Sequence, residues 1–356
     1  MEESSILDGE SDDAREREGQ ARDRRNVRRV LAVVGITMAV VLVAVLAIGG
    51  WYASRVDNAL NRIKRDPSMM PTGDTTAVAP KPADKDYKQP MVFVLMGSDS
   101  RGPDQGRSDV LMTAYLPGNR KQVYLTSYPR DLWVPIPGHG EAKINAAYAF
   151  GGTSLTVTTL QNYTGVKVDH IAMINFERFI QLTEALGGVT VNNQVASTSG
   201  DGKYTWPRGQ ITVSGAEALA YVRQRKELPN GDFDRAERQR AVVTAIIAKM
   251  ASADVLTNPV KFDRMATKVA DTVTVDDGLS DSKMRDVAFS MRVKGKGDVV
   301  SFQAPISGFG TSRDGQWIAL PDKAGQAELS AAMKNDTMAE FWAKNKNNCK
   351  FAASGC

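Results

Sequence analysis

Two groups of charged residues have the types and spacing to do chemistry. The first lies in SDSRGPDQGRSD: Asp99, Arg101, Arg107, Ser108 and Asp109, with Arg130-Asp131 following. Asp99 and Asp109 flank a Gly-containing turn (Gly102, Gly106) able to bring two carboxylates together. Two carboxylates plus substrate phosphate oxygens are a usual way to hold Mg2+. The second lies in YVRQRKELPNGDFDRAERQR: Arg223, Arg225, Asp232, Arg235 and Gln239. Arg235 and Gln239 are i and i+4, so they share a helix face near its N-terminus, where backbone N–H groups favour an anion. Arg223 and Arg225 straddle a helix end, and guanidinium forks meet phosphate oxygens bidentately. A solvated loop with incidental charges is the competing reading of the first group, and a solvated charged helix that of the second.

The composition narrows the chemistry. The 356 residues include only 2 Cys and 2 His, which excludes a disulfide scaffold and makes a Cys/His zinc site or a histidine-centred catalyst a poor fit. There is no G-x-S-x-G elbow and no Walker loop. His139, in a Pro-Gly-His-Gly turn, reads as a surface residue, and His170, opening an apolar strand, as a structural one. The net charge of +4 is too mild for a nucleic-acid partner. Two carboxylates and at least five arginines instead suit phosphoryl transfer, which needs positioning, charge neutralisation and a metal. A pyrophosphate fits that much positive charge.

The elements that must position these groups follow from the hydrophobic pattern. Residues 1–29 are polar, dense in acids and arginines, and expected to be a disordered cytoplasmic tail. Residues 30–52 contain the uncharged run Val30–Gly50, long enough to cross a bilayer, behind an arginine cluster (Arg22, Arg24, Arg25, Arg28, Arg29) and ahead of Trp51 and Tyr52. The expectation is a single-pass type II protein of the cell membrane whose remaining chain is extracytoplasmic, a placement that counts against nucleic acid. Residues 53–89 read as a tether: a charged stretch (Ser54–Lys64), with extension of the helix as its alternative reading, leads into the Pro-, Thr-, Ala- and Lys-rich segment Pro71–Pro90. From 90 to 345 the pattern is α/β, with strands at Met91–Ser98, Asp109–Leu116, Gln122–Pro129 and His170–Phe176. Helices are expected at Asn145–Thr164, with Asn145 as N-cap, Phe176–Leu186, Ala216–Arg225, Phe233–Met250 and Ala324–Met333. Asp99 and Arg130 then follow strand carboxyl ends, where open α/β sheets bind ligands. In the C-terminal tail, 346–356, Cys349 and Cys356 are expected to pair in an oxidising compartment.

The blocks VLMGSDSR (Val94–Arg101), RSDVLM (Arg107–Met112), SYPRDLWVPIPGHGEAKINAAYAFGG (Ser127–Gly152), VDHIAMINFERF (Val168–Phe179), ALGGVTV (Ala185–Val191) and ALAYVRQRKELPNGDFDRAERQR (Ala218–Arg240) resemble the LytR-CpsA-Psr family. They run in order over residues 90–250, so no single short motif carries the resemblance. The fold expected is a three-layer α-β-α sandwich with a mixed central sheet, preceded by a single transmembrane helix. The resemblance implies transfer of a phosphorylated glycopolymer from a polyprenyl-pyrophosphate carrier onto peptidoglycan, with Mg2+ as cofactor. By position, Asp99 and Asp109 match the residues around the metal. Arg107, Arg130, Arg223, Arg225, Arg235 and Gln239 match the set that contacts pyrophosphate. Asp99, Arg107, Arg130 and Asp232 are the expected catalytic group, Asp232 orienting arginines or accepting a proton. Val242, Ile246, Phe176, Phe179 and Leu182 are candidates for a lipid pocket, with plain core as the competing role. A polyprenyl-pyrophosphate hydrolase and a non-enzymatic binder of lipid-linked polymer are the rival functions.

Overall fold

The computed structural model describes residues 47, 49–73, 75–98, 108–348 and 351, and only the backbone at Ser98, Ser108, Asp109 and residues 175–177. Most of the expected membrane span, and the Cys349–Cys356 pairing, lie outside the described residues. Among the described residues no helix is long and apolar enough to cross a membrane. The chain divides into two units, residues 1–56 and 57–356. In the first, Trp51 and Tyr52 meet edge to face at 5.0 Å, and the Arg55 guanidinium lies 5.3 Å from the Trp51 ring centroid.

The second unit is built on a mixed sheet. Strands β1 (Lys64–Arg65), β2 (Met91–Ser98), β3 (Ser108–Leu116) and β4 (Val123–Ser127) precede a hairpin of β5 (Trp133–Ile136) and β6 (Gly140–Lys143). After β7 (His170–Asn175), the strands β8 (Val189–Asn193), β9 (Ser197–Thr198), β10 (Thr205–Trp206) and β11 (Gly209–Val213) form two small ribbons, β8 with β11 and β9 with β10. β12 (Val273–Val275) and β13 (Val299–Gln303) return to the main sheet, and β14 (Ile306–Thr311) with β15 (Trp317–Pro321) makes a last hairpin. The main sheet runs β1-β12-β7-β2-β3-β4-β13. β2 is parallel to β7 and antiparallel to β3, so the sheet is mixed, as expected.

Besides the helical residues 49–60, nine described helices lie among and after these strands: α1 (Ala146–Thr164), α2 (Phe176–Ala185), α3 (Gly215–Arg223), α4 (Asp232–Met250), α5 (Ala253–Leu256), α6 (Pro259–Thr272), α7 (Asp281–Ser290), α8 (Lys323–Lys334) and α9 (Met338–Asn345). The apolar run of β2 has both faces covered because its side chains alternate. Val92, Val94 and Met96 pack with Val157 and Leu160 of α1 and Leu329 and Met333 of α8. Phe93 and Leu95 belong to the opposite cluster, with Val243 and Ile247 of α4 and Val287 of α7. Each fully buried aliphatic side chain of this kind contributes about 1.5–3 kcal/mol.

Helix α4 is the wedge of the molecule. Its apolar stripe divides, Val243 and Ile247 facing the sheet while Val242 and Ile246 join Phe179, Leu182 and Trp206 in a separate core. Val242, Ile246, Phe179 and Leu182 are buried in that core; the Phe176 side chain lies outside the described residues.

Three local expectations change. The segment 53–89 is not all spacer: β1 pairs in parallel with β12, and Met69, 1% exposed, packs into the main core. These anchors lie between Lys64 and Met69, ahead of the Pro- and Thr-rich segment that begins at Pro71, in a stretch too short and charged to carry a strand signal. Phe351 in the C-terminal tail is likewise buried, edge-on to Phe302 and Phe341. Asn145 stands at the N-cap position of α1, but its backbone is helical (φ −67°, ψ −19°) and its side chain makes no capping bond. Its N–H instead donates to the Arg130 carbonyl at 3.3 Å. Gly187 and Gly188 stop α2 as expected, with φ of 70° and 84°.

Candidate active site

The site begins where β4 ends. Past Ser127 the chain turns through Tyr128-Pro129, fixed by the Tyr128 N–H donating to Leu111 O (2.9 Å) and the Leu132 N–H to Pro129 O (3.0 Å). This turn sets Arg130 at the carboxyl end of β4. Opposite it, Gly231 (φ 53°) opens α4 and puts Asp232 in the first helical turn. The Asp234 carboxylate accepts from Asn230 N–H (2.9 Å) and Asn230 Nδ2 (3.0 Å), which fastens the loop before the helix.

Asp232 is the hub. It pairs with Arg130 Nε, with Arg225 Nε at 2.9 Å and with Arg235 Nη2 at 3.5 Å. Asp131 holds a second cation, Lys143 Nζ at 2.8 Å, and lies 3.5 Å from Arg130 Nε. Four cations (Arg130, Lys143, Arg225, Arg235) thus converge on two carboxylates, an excess of two positive charges among the described residues of the site. The side chain of Arg225 is 58% exposed while that of Asp232 is 13% exposed, so Arg225 forms the outer wall and Asp232 the interior. Gln239 lines the same cleft one turn beyond Arg235, and its Nε2 also donates to Val222 O at 3.2 Å, tying α4 to α3. Arg223 closes α3, half-buried, with Gln224 as C-cap.

The structure therefore gathers Arg130, Arg225, Asp232, Arg235 and Gln239 into one place. Asp99 and Arg107 lie outside the described residues, as does the Asp109 side chain. The β2–β3 register pairs Ser98 with Ser108, the residues that precede the two aspartates, at one end of this ladder. Among the described residues no three acidic, His or Cys side chains cluster to hold a metal. Two carboxylates have the oxygen chemistry that suits a hard divalent cation.

Sequence reasoning missed the floor of the cleft. Arg240 is 3% exposed and its Nη1 donates to Ser127 Oγ. Burial lowers its pKa to about 10, against the opposing pull of Glu237. No described carboxylate is paired with it. Ser127 and the buried Gln303, whose Oε1 has no partner among the described groups, line the cleft above. Arg238, two positions earlier, serves structure: it donates to Val195 O (2.9 Å) and Ser197 Oγ (2.7 Å) and covers the Tyr221 ring at 4.4 Å. Residues at i and i+2 of a helix point to different sides, which is the signal that separates Arg238 from Arg240.

The two histidines stand apart from this cleft. His139 stacks on Phe150 with centroids 4.3 Å apart, and His170 Nδ1 meets the Asp276 carboxylate at 3.1 Å. Both fit the non-catalytic reading.

A mixed α/β sheet with a cationic, carboxylate-anchored cleft at its strand ends defines the class. The LytR_cpsA_psr family model matches residues 54–335, and the chain belongs to this family. It is 34% identical over 313 residues to the polyisoprenyl-teichoic acid–peptidoglycan teichoic acid transferase TagU of Bacillus subtilis strain 168, covering 88% of this chain and 97% of that protein. The TagU of Bacillus licheniformis is 37% identical over 252 residues, 70% of this chain and 79% of that one. Among solved structures, TagT bound to LIIa-WTA superposes with a TM-score of 0.58 at 27% identity, covering 76% of this chain and 98% of that chain.

Proposed function

We propose that this protein is a phosphotransferase that moves a phosphorylated glycopolymer from a polyprenyl-pyrophosphate carrier onto peptidoglycan, at the outer face of the cell membrane. The single observation that carries this reading is the convergence of Arg130, Arg225 and Arg235 on Asp232 at the strand ends. Membership of the family and relatives named as teichoic acid transferases support it.

Before substrate binds, Asp232 and Asp131 hold the cations in place. A pyrophosphate entering the cleft brings oxygens that replace solvent around the guanidinium forks, and Arg130 and Arg235 bind it without first having to be ordered. A sugar hydroxyl of peptidoglycan attacks the phosphorus that carries the polymer. The bond from that phosphorus to the bridging oxygen breaks, a phosphodiester forms, and polyprenyl monophosphate leaves with its charge met by the arginines. The ion pairs suit Asp232 to orienting arginines, and Asp99 or Asp232 is the carboxylate proposed to accept the hydroxyl proton. Asp99 and Asp109 are the residues that would hold Mg2+, which when bound adds charge neutralisation at the pyrophosphate.

Mass spectrometry of lipid co-purified with the detergent-extracted full chain tests the substrate class. Polyprenyl pyrophosphate species are expected on the wild type and at least about tenfold depleted on Arg130→Ala and Arg225→Ala. Both variants are expected to lose transfer activity by about a hundredfold or more while melting within a few degrees of wild type. Full activity in both would contradict the assignment.

A further inference from the structure

An aromatic platform stands beside the arginine cleft, and nothing in the phosphate chemistry uses it. Phe309, on the outward row of β14, is 50% exposed, and Trp317, on β15, is 48% exposed. The rings stack with centroids 4.8 Å apart and an interplanar angle of 20°. Phe233 closes the group edge-on, 5.2 Å from Phe309. Phe150 and Phe289 are as exposed or more so, but stacked aromatics gathered into one exposed patch beside a cleft are the kind of surface that meets a ligand.

Position decides what that ligand is. Phe233 follows Asp232 directly and lines the same cleft as Arg130 and Gln239. The hairpin is tied to the site from its other side as well, since Ala319 N–H donates to Asp131 O at 2.9 Å. The platform is thus continuous with the place where a phosphate would sit. Whatever extends from that phosphate, or approaches it, passes over these rings. In the reaction proposed above both candidates are sugars. One face of a pyranose ring carries only C–H groups and stacks on an aromatic surface while its hydroxyls stay in water.

We propose that Phe309, Trp317 and Phe233 form a carbohydrate subsite that seats a pyranose ring next to the phosphate. The ring belongs either to the sugar of the donor polymer or to the glycan strand of the acceptor. This inference rests on the transferase reading for its ligand, and its test separates the two.

Full-length wild type, Phe309→Ala, Trp317→Ala and the conservative Trp317→Phe are compared in two assays. In the first, intrinsic fluorescence is titrated with a soluble β-1,4-linked N-acetylglucosamine oligomer and, separately, with the saccharide of the donor polymer. The wild type is expected to bind at least one of them, with affinity reduced about tenfold or more by either alanine variant and largely kept by Trp317→Phe. In the second, steady-state transfer is expected to show a rise in KM of about tenfold for the same saccharide partner, with kcat and the affinity for sugar-free polyprenyl pyrophosphate unchanged. A KM change confined to the acceptor places the glycan strand on the platform, and one confined to the donor places the polymer there. Wild-type affinities for both saccharides matched by the alanine variants would overturn the subsite. So would unchanged KM values accompanied by loss of self-association, which would make the platform a protein contact. Failure of the wild type to bind sugar-free polyprenyl pyrophosphate would instead fall on the transferase reading, and the saccharide titration would still judge the platform.

Discussion

Arg240 is the residue whose energetics are most unusual. Among the described residues this buried guanidinium has only a serine hydroxyl as hydrogen-bond partner, and burial outweighs the pull of Glu237, so its desolvation costs stability. Its charge would be satisfied by an anion in the cleft above Ser127. Arg240→Met is therefore expected to raise Tm by a few degrees, on the order of 1 kcal/mol, while weakening polyprenyl pyrophosphate binding about tenfold. Thermal melts with and without the lipid check this, and a lower Tm with unchanged affinity would refute it. The arginines of the second group were legible from their i, i+4 and helix-end spacing. Arg240 was not, because its importance comes from where α4 is wedged, which depends on Val242 and Val243 facing different cores.

At the scale of elements, the strands and helices of the catalytic region follow the hydrophobic pattern closely. Met91–Ser98 became β2, and the stop at Gly187-Gly188 fell where expected. What the pattern did not show is pairing between distant segments, such as β12 set antiparallel against β7. There Asp276 joins the elements: its carboxylate accepts from the Ile171 N–H at 3.0 Å and meets His170 Nδ1. Burial pushes its pKa up, but the bonds from His170 and Ile171 outweigh that and hold it below the ordinary value. A depressed carboxylate contributes stability above its unfolded pKa, about 3.9, that is lost as pH falls through the folded value. Wild-type stability is expected to drop more steeply below about pH 4 than that of Asp276→Asn, in denaturant melts at a series of pH values. Equal slopes would show that the pair carries no linkage.

For the whole molecule, the boundary of the folded unit is the main correction to the sequence reading. Composition alone placed a spacer as far as residue 89, because proline- and threonine-rich segments rarely pack. Yet Met69 is buried in the main core, Arg62 pairs with Asp271 at 2.8 Å, and the family match itself begins at residue 54. Met69→Ala is expected to cost about 2–5 kcal/mol. A chain begun at residue 90 is expected to melt well below one begun at residue 54. Matching melting curves for the two chains would restore the spacer reading.

The transfer itself is tested most directly by reconstitution. The full-length protein is given a lipid-linked glycopolymer labelled with radioactive phosphorus at the polymer-bearing position, together with isolated peptidoglycan and Mg2+. The expected result is label bound covalently to peptidoglycan and an equal amount of polyprenyl monophosphate released, both lost with Arg130→Ala. Free phosphorylated polymer, with no label on peptidoglycan, would contradict transfer and make the protein a hydrolase.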